Sequence, residues 1–228
     1  MATTGTATFD LDMLETIEEA FERCGSEARQ GYDFRTARRS LNLLLADWAN
    51  RGINLWTVDS GTIPLVAGTA TYNIPADTVD LLEHVTRINN GVAATQNDIP
   101  LERVSFPVYS SIPNKLSQAV RPYQILITRG VAQPTVTLWP VPSDATVILV
   151  YWRLRRMQDA GDGINTHDIP FRLLPALTSG LAYYLSLKIP GAQNRTEMLK
   201  SIYDEDFQRA AEEDRDRATL RIVPRIGR

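Results

Sequence analysis

The chain has 228 residues, 43% of them hydrophobic and 22% charged, enough to bury one large core or two smaller ones. A formal net charge of −3 argues against wholesale wrapping of nucleic acid, and a single cysteine, Cys24, excludes an internal disulfide and a cysteine zinc cluster. The opening MATTGTATFDLD has neither a basic region nor an apolar run, so it does not read as a secretory signal, and no segment approaches the ~20 apolar residues that span a bilayer. The expected setting is a cytosol, or a particle assembled there.

Residues 1–9 are small and polar and read as a loose arm. Asp10 is placed to cap a helix over 11–24, with Leu14, Ile17, Phe21 and Cys24 on one face and Gly25 as its stop. Asp33 is placed to cap a second helix over about 34–51. There Leu41, Leu44, Leu45 and Trp48 form a stripe at helical spacing, ended by Gly52. From Ile53 to Met157 the texture turns to Thr, Val, Ile, Pro and Gly. TATYNIP alternates as a strand does, and YQILIT, PTVTLWP and TVILVYW are further strands, the last apolar enough to be buried on both faces. LLEHVTRI fits helix or strand, and its β-branched content favours strand. NNG at 89–91 suits a hairpin turn, and the prolines at 100, 107, 113 and 122 mark a long irregular connection.

DAGDGINTHD at 159–168 reads as a linker. Helical texture returns in LLPALTSGLAYYLSLKI, with Pro175 in the first turn and Pro190-Gly191 as the end. A last helix starts near Asn194, its stripe made by Leu199, Ile202, Tyr203, Phe207 and Ala210. The expected class is α+β: an antiparallel bundle of two N-terminal and two C-terminal helices, an inserted antiparallel β domain, and extended terminal tails. The boundaries read as an arm at 1–9, a bundle from 10–52 and 168–217, a β domain at 53–157, a linker at 158–167 and a C-terminal tail at 218–228.

Reactive groups are sparse. His84 and His167 lack metal-ligand spacing around them, and Cys24 on an apolar helix face reads as a small core residue with no motif for a Cys–His pair. In the acidic run from Asp204, Glu205 meets Arg209 and Glu213 meets Arg217 at i,i+4, the spacing of ordinary helix ion pairs. GDG at 161–163 lacks the lysine and the strand-to-helix context of a phosphate loop. Arg153, Arg155 and Arg156 follow Trp152, and Arg38 and Arg39 lie opposite the Leu/Trp stripe. An edge or subunit contact fits both groups better than a nucleic-acid groove, which needs more charge on one face. No catalytic, metal or cofactor-binding residue is expected.

One segment has no place in this scheme. After Asp216 every charge is positive (Arg217, Arg221, Arg225 and Arg228), and between them stand Leu220, Ile222, Val223 and Ile226, too few to make a core. Pro224 blocks a continuing helix.

The order of the remaining motifs resembles a known family. ARRSLNLLLADWANRGINLW is followed by GTIPLVAGTATYNIPADTVDLL, then LWPVPSDATVILVYWRLRRM, then THDIPFRLLPALTSGLAYYLSLKIPG and an acidic helix. Over residues 33–217 this resembles the head-to-tail adaptor (connector, gatekeeper) proteins of tailed bacteriophages, particularly the tail accessory factor or tail tubular A type of short-tailed phages. The resemblance implies a structural virion protein without catalysis or cofactor, in a ring of twelve copies. The ring docks beneath the portal protein, extends the channel through which genomic DNA passes, and offers a platform to the tail nozzle or tube. It also implies that the C-terminal strip, with Leu220, Arg221, Ile222, Val223, Arg225, Ile226 and Arg228, reaches the portal. Two other readings remain at this stage: another tail ring component, such as a stopper or tube-completion protein, and a DNA-binding accessory factor using Arg35, Arg38, Arg39 and the Arg153–Arg156 cluster. A hydrolase is the least supported.

Overall fold

In a computed structural model, residues 4–29, 31–52, 55–161 and 164–213 are described. The helices are α1 (Met13–Cys24), α2 (Gly31–Asn50), the short α3 (Phe106–Ser110), α4 (Leu174–Ser186) and α5 (Thr196–Glu213). All the strands fall between α2 and α4, so helices at both ends of the chain flank a β region. Two compact units result: a helical one from the chain up to Trp56 and from Met157 onward, and a β unit, Thr57–Arg156.

In the helical unit, α1 starts two residues later than the sequence suggests, because Asp12 and not Asp10 is its cap. The Asp12 carboxylate accepts from the Glu15 N–H at 2.8 Å, and the Glu15 carboxylate accepts from the Asp12 N–H at 3.2 Å. This reciprocal pair satisfies two N–H groups that a helix start otherwise leaves open. Gly25 closes α1 in the left-handed conformation, φ 76°. The other correction is α2, which begins at Gly31; Asp33 sits inside its first turn and accepts from the Arg29 N–H at 3.2 Å.

The helix α4 is buried nearly all round, which suits a central helix packed by neighbours on several sides. It touches α1, α2 and α5. Gly180 makes the close approach possible: a Cβ there would stand 2.8 Å from Tyr203 Cε2 and 2.9 Å from Leu44 Cδ2. The hydroxyls that α4 carries into this interior are satisfied locally, Thr178 donating to Leu174 O at 3.0 Å and Ser179 to Pro175 O at 2.9 Å. Ala37, Leu41, Leu44 and Trp48 of α2 are fully buried in the same core. Trp48 Nε1 donates to the Tyr203 hydroxyl at 3.0 Å, the partner a buried indole N–H needs. Of the expected α5 stripe, Leu199, Tyr203 and Ala210 are buried, Phe207 is half-buried against Trp48, and Ile202 is exposed.

The β unit holds β1 (Val58–Pro64), β2 (Thr71–Asn73), β3 (Thr78–Ile88), β4 (Asn97–Pro100), β5 (Glu102–Val104), β6 (Gln118–Ala119), β7 (Gln124–Thr128), β8 (Thr135–Trp139), β9 (Val141–Pro142) and β10 (Ile148–Arg155). One sheet runs β1-β10-β3-β4, a second β2-β8-β7-β5, and β6 pairs with β9. Both four-stranded sheets are chiefly antiparallel; β5–β7 and β6–β9 are short parallel pairings that the expected antiparallel domain did not include. Ile74, Leu81, Ile125, Val136, Leu138 and Leu149 lie at the centre of the core. The Tyr72 hydroxyl ties the turn after β1, accepting from Val66 N–H and donating to Thr69 O, each at 2.9 Å.

LLEHVTRI is strand, in β3. The turn after it is longer than two residues: Asn89 and Gly91 take positive φ, and β4 begins at Asn97. In β10 the apolar run is buried at three consecutive residues, Leu149, Val150 and Tyr151, so both faces of the strand are covered there; Trp152, next in line, is exposed. The irregular connection after Pro100 holds α3, with Pro107 in its first turn.

Candidate assembly surfaces

Cys24, His84 and His167 are all largely withdrawn from solvent. Cys24 is buried, its Sγ donates to Ala182 O at 3.2 Å, and burial pushes its thiol up to about 11, so it is protonated at neutral pH. His167 lies 2.9 Å from the Thr16 hydroxyl, beside the start of α1. His84 is buried in β3, and its Nδ1 has no hydrogen-bond partner among the described residues. Burial lowers the pKa of both rings, because it disfavours the imidazolium. Among the described residues no three His, Cys, Asp or Glu side chains gather as a metal set, and no helix is long and apolar enough to cross a membrane.

The basic residues are largely held within their own units. On β10, Arg153 pairs with Asp77 and Asp59, and Arg155 Nε lies 3.2 Å from Asp59 Oδ2. The hydrogen bond from Arg153 holds the Asp77 carboxyl below its ordinary range. The Arg156 backbone N–H donates to Asp77 O at 2.7 Å, fixing the end of the strand. Burial alone would raise Asp80; hydrogen bonds from Arg103 and Arg129 outweigh that and lower it. In the helical unit Arg38 is half-buried and Arg39 is exposed, lining a shallow pocket with Thr36 and Lys188. Glu205 and Arg209 approach to 3.4 Å as expected from their spacing. The Glu213–Arg217 pair, Asp162 and Gly163, and the whole strip bearing Leu220, Arg221, Ile222, Val223, Arg225, Ile226 and Arg228 lie outside the described residues.

Sequence reading missed one surface. Phe9, ahead of α1, meets the ring of Phe171 edge-on at 6.1 Å. Together with Leu11, Leu174 and Pro175 they line a groove of about 470 Å3 beside α1, and both phenylalanines are about two-thirds exposed. One wall is the acidic face of α1, Glu15, Glu18, Glu19 and Glu22. Glu15 is occupied by the capping box, and Glu19 pairs with Arg23 at 2.8 Å. Glu18 and Glu22 stand at i,i+4, exposed, without a hydrogen bond or ion pair among the described residues. Like charges at that spacing cost a helix roughly 0.2–0.5 kcal/mol. The groove is apolar in its lining and negative at its rim.

Comparison of the chain with curated proteins returns no match. A family model does match, that of the SU10 adaptor protein, over residues 11–225. The matched span opens just ahead of α1, takes in both units and continues into the C-terminal strip. The chain therefore belongs to the SU10 adaptor protein family and is a phage adaptor, a structural component of the virion.

Proposed function

We propose that the protein is the subunit of a head-to-tail adaptor ring of the tail accessory factor or tail tubular A type. Twelve copies close beneath the portal in the neck of the virion. The ring extends the DNA channel and presents a platform to the tail nozzle or tube. The family match from residue 11 to residue 225 carries this reading, since the matched span includes most of the basic, apolar strip as well as the folded units. In the ring the strip is the tether to the portal: Leu220, Ile222, Val223 and Ile226 would bury against it, at about 25 cal/mol per Å2 of apolar surface, and a ring multiplies each contact through multivalency.

The protein catalyses nothing and needs no cofactor in this role. Genomic DNA passes without specific binding. The pairing of Arg153 and Arg155 with Asp59 and Asp77 supports that, because cations already neutralised within their unit release few counterions from DNA.

The test is to mix the full chain, or a chain ending at Arg217, with portal-bearing particles, sediment them and image the pellets. The full chain should add a ring of density beneath the portal, and the shortened chain should bind at far lower occupancy. Attachment of the full chain to another tail part, with none to the portal, would replace this reading with that of a stopper or tube-completion component. Full occupancy by the shortened chain would move the docking surface to the folded units.

A further inference from the structure

We infer that the groove lined by Phe9, Phe171 and Pro175 is the seat of the chain's own C-terminal strip while the protein is free, so that residues 217–228 cap the helical unit before assembly. The inference concerns the unassembled chain and stands whether or not the strip later reaches a portal.

Placement is the first ground. The helices α4 and α5 pack against each other, joined by residues 187–195. Gly180 of α4 lies against Tyr203 of α5. About two turns back from Gly180, at the start of α4, comes Leu173, and two turns forward along α5 from Tyr203 comes Ala210; both are buried in one core. The helix α5 also touches the turn Phe171–Leu173. The described chain therefore ends, at Glu213, beside the end of α4 that builds the groove from Phe171, Leu174 and Pro175. The turn that α5 touches itself supplies Phe171 to the groove, and residues 214–217, extended, can cover about 13 Å. The strip begins within reach.

Chemistry is the second ground. The groove offers exposed aromatic and aliphatic lining with four carboxylates on one wall, of which Glu18 and Glu22 are unpaired among the described residues. The strip offers Leu220, Ile222, Val223 and Ile226 with Arg217, Arg221, Arg225 and Arg228, and after Asp216 no negative side chain. Apolar groups cover Phe9 and Phe171, and arginines relieve the repulsion between Glu18 and Glu22. Docking beneath a portal then requires the strip to leave this seat.

Hydrogen exchange of the full chain, read by mass spectrometry over 218–228, tests this without any portal. Strip amides of the native chain should exchange at least tenfold more slowly than an unstructured segment, equally so across a hundredfold range of protein concentration. Glu18→Lys with Glu22→Lys, and separately Phe171→Ala, should each remove most of that protection while amides of α4 keep theirs, which shows the fold intact. Adding Arg221→Glu and Arg225→Glu to the lysine pair should restore it. Exchange of the native strip at the unstructured rate overturns the inference, as does protection that ignores these substitutions. Protection that fades on dilution would assign the groove to the strip of a second copy, and also overturns it.

Discussion

Trp48→Ala is the sharpest test of the helical core. The indole is fully buried on α2, tilted against Phe207 at 5.8 Å between ring centres, and donates to the Tyr203 hydroxyl at 3.0 Å. Truncation removes the largest fully buried side chain of the protein and leaves a cavity; losses for such changes run to about 3–5 kcal/mol. The Tyr203 hydroxyl would also lose its donor in a place water reaches poorly, at about 1–3 kcal/mol if the site cannot relax. Trp48→Phe keeps most of the volume but loses the N–H and part of the ring, so it should cost less, about 2 kcal/mol. Thermal unfolding followed by circular dichroism at 222 nm reads both. With each kcal/mol worth about 2–4 °C in a chain of this size, the alanine variant should melt about 10 °C lower or more and the phenylalanine variant only a few degrees lower. An alanine variant melting within 2 °C of the native protein would mean that the α2 stripe does not hold the bundle together, and would refute the packing described above.

Gly180→Ala should destabilise the helical unit by roughly 1–3 kcal/mol despite the better helix propensity of alanine, because its methyl meets Tyr203 and Leu44 below 3 Å; the denaturant midpoint checks the sign. Cys24 should resist a thiol reagent at pH 8 in the folded protein and react at once in denaturant, since burial holds the thiol at about 11; rapid labelling of the native chain would contradict its placement. His84 and His167 both have folded pKa values below the ordinary 6.5. The unfolded chain therefore takes up protons first as pH falls, and stability should be level above about pH 6.5 and decline below it. Denaturant midpoints at pH 7.5 and 5.0 measure the decline, and His84→Gln with His167→Gln should flatten it.

Much of the architecture was legible because local signals agreed with the tertiary result. The 41/44/45/48 stripe, the Gly25 stop and the strand texture of PTVTLWP each lead to the element found. The misplaced start of α1 was readable too: Asp12 and Glu15 stand three apart, the spacing of a capping box, whereas Asp10 has no such partner. Pro107 concealed α3, since a proline serves equally in a helix's first turn and in an irregular loop. The groove beside α1 could not be read at all. It joins Phe9 to Phe171 across more than half the chain, and each alone is only a scattered surface aromatic. The pairing of Arg153 with Asp59 and Asp77 was hidden for the same reason, because a cluster of arginines in sequence says nothing about the carboxylates opposite them.

The first and last strands of the β unit, β1 and β10, are paired antiparallel neighbours, with Val58 opposite Leu154. Its entry and exit therefore sit side by side, and a pull between them loads the ladder from one end. Hydrogen bonds in that geometry break in succession, as in a zipper, and never share the load as they do in shear. Tension carried through the chain at Thr57 and Arg156 would peel β1 from β10 at modest force, beginning at Val58 and running toward Pro64. Under such tension that seam is where the β unit would open first.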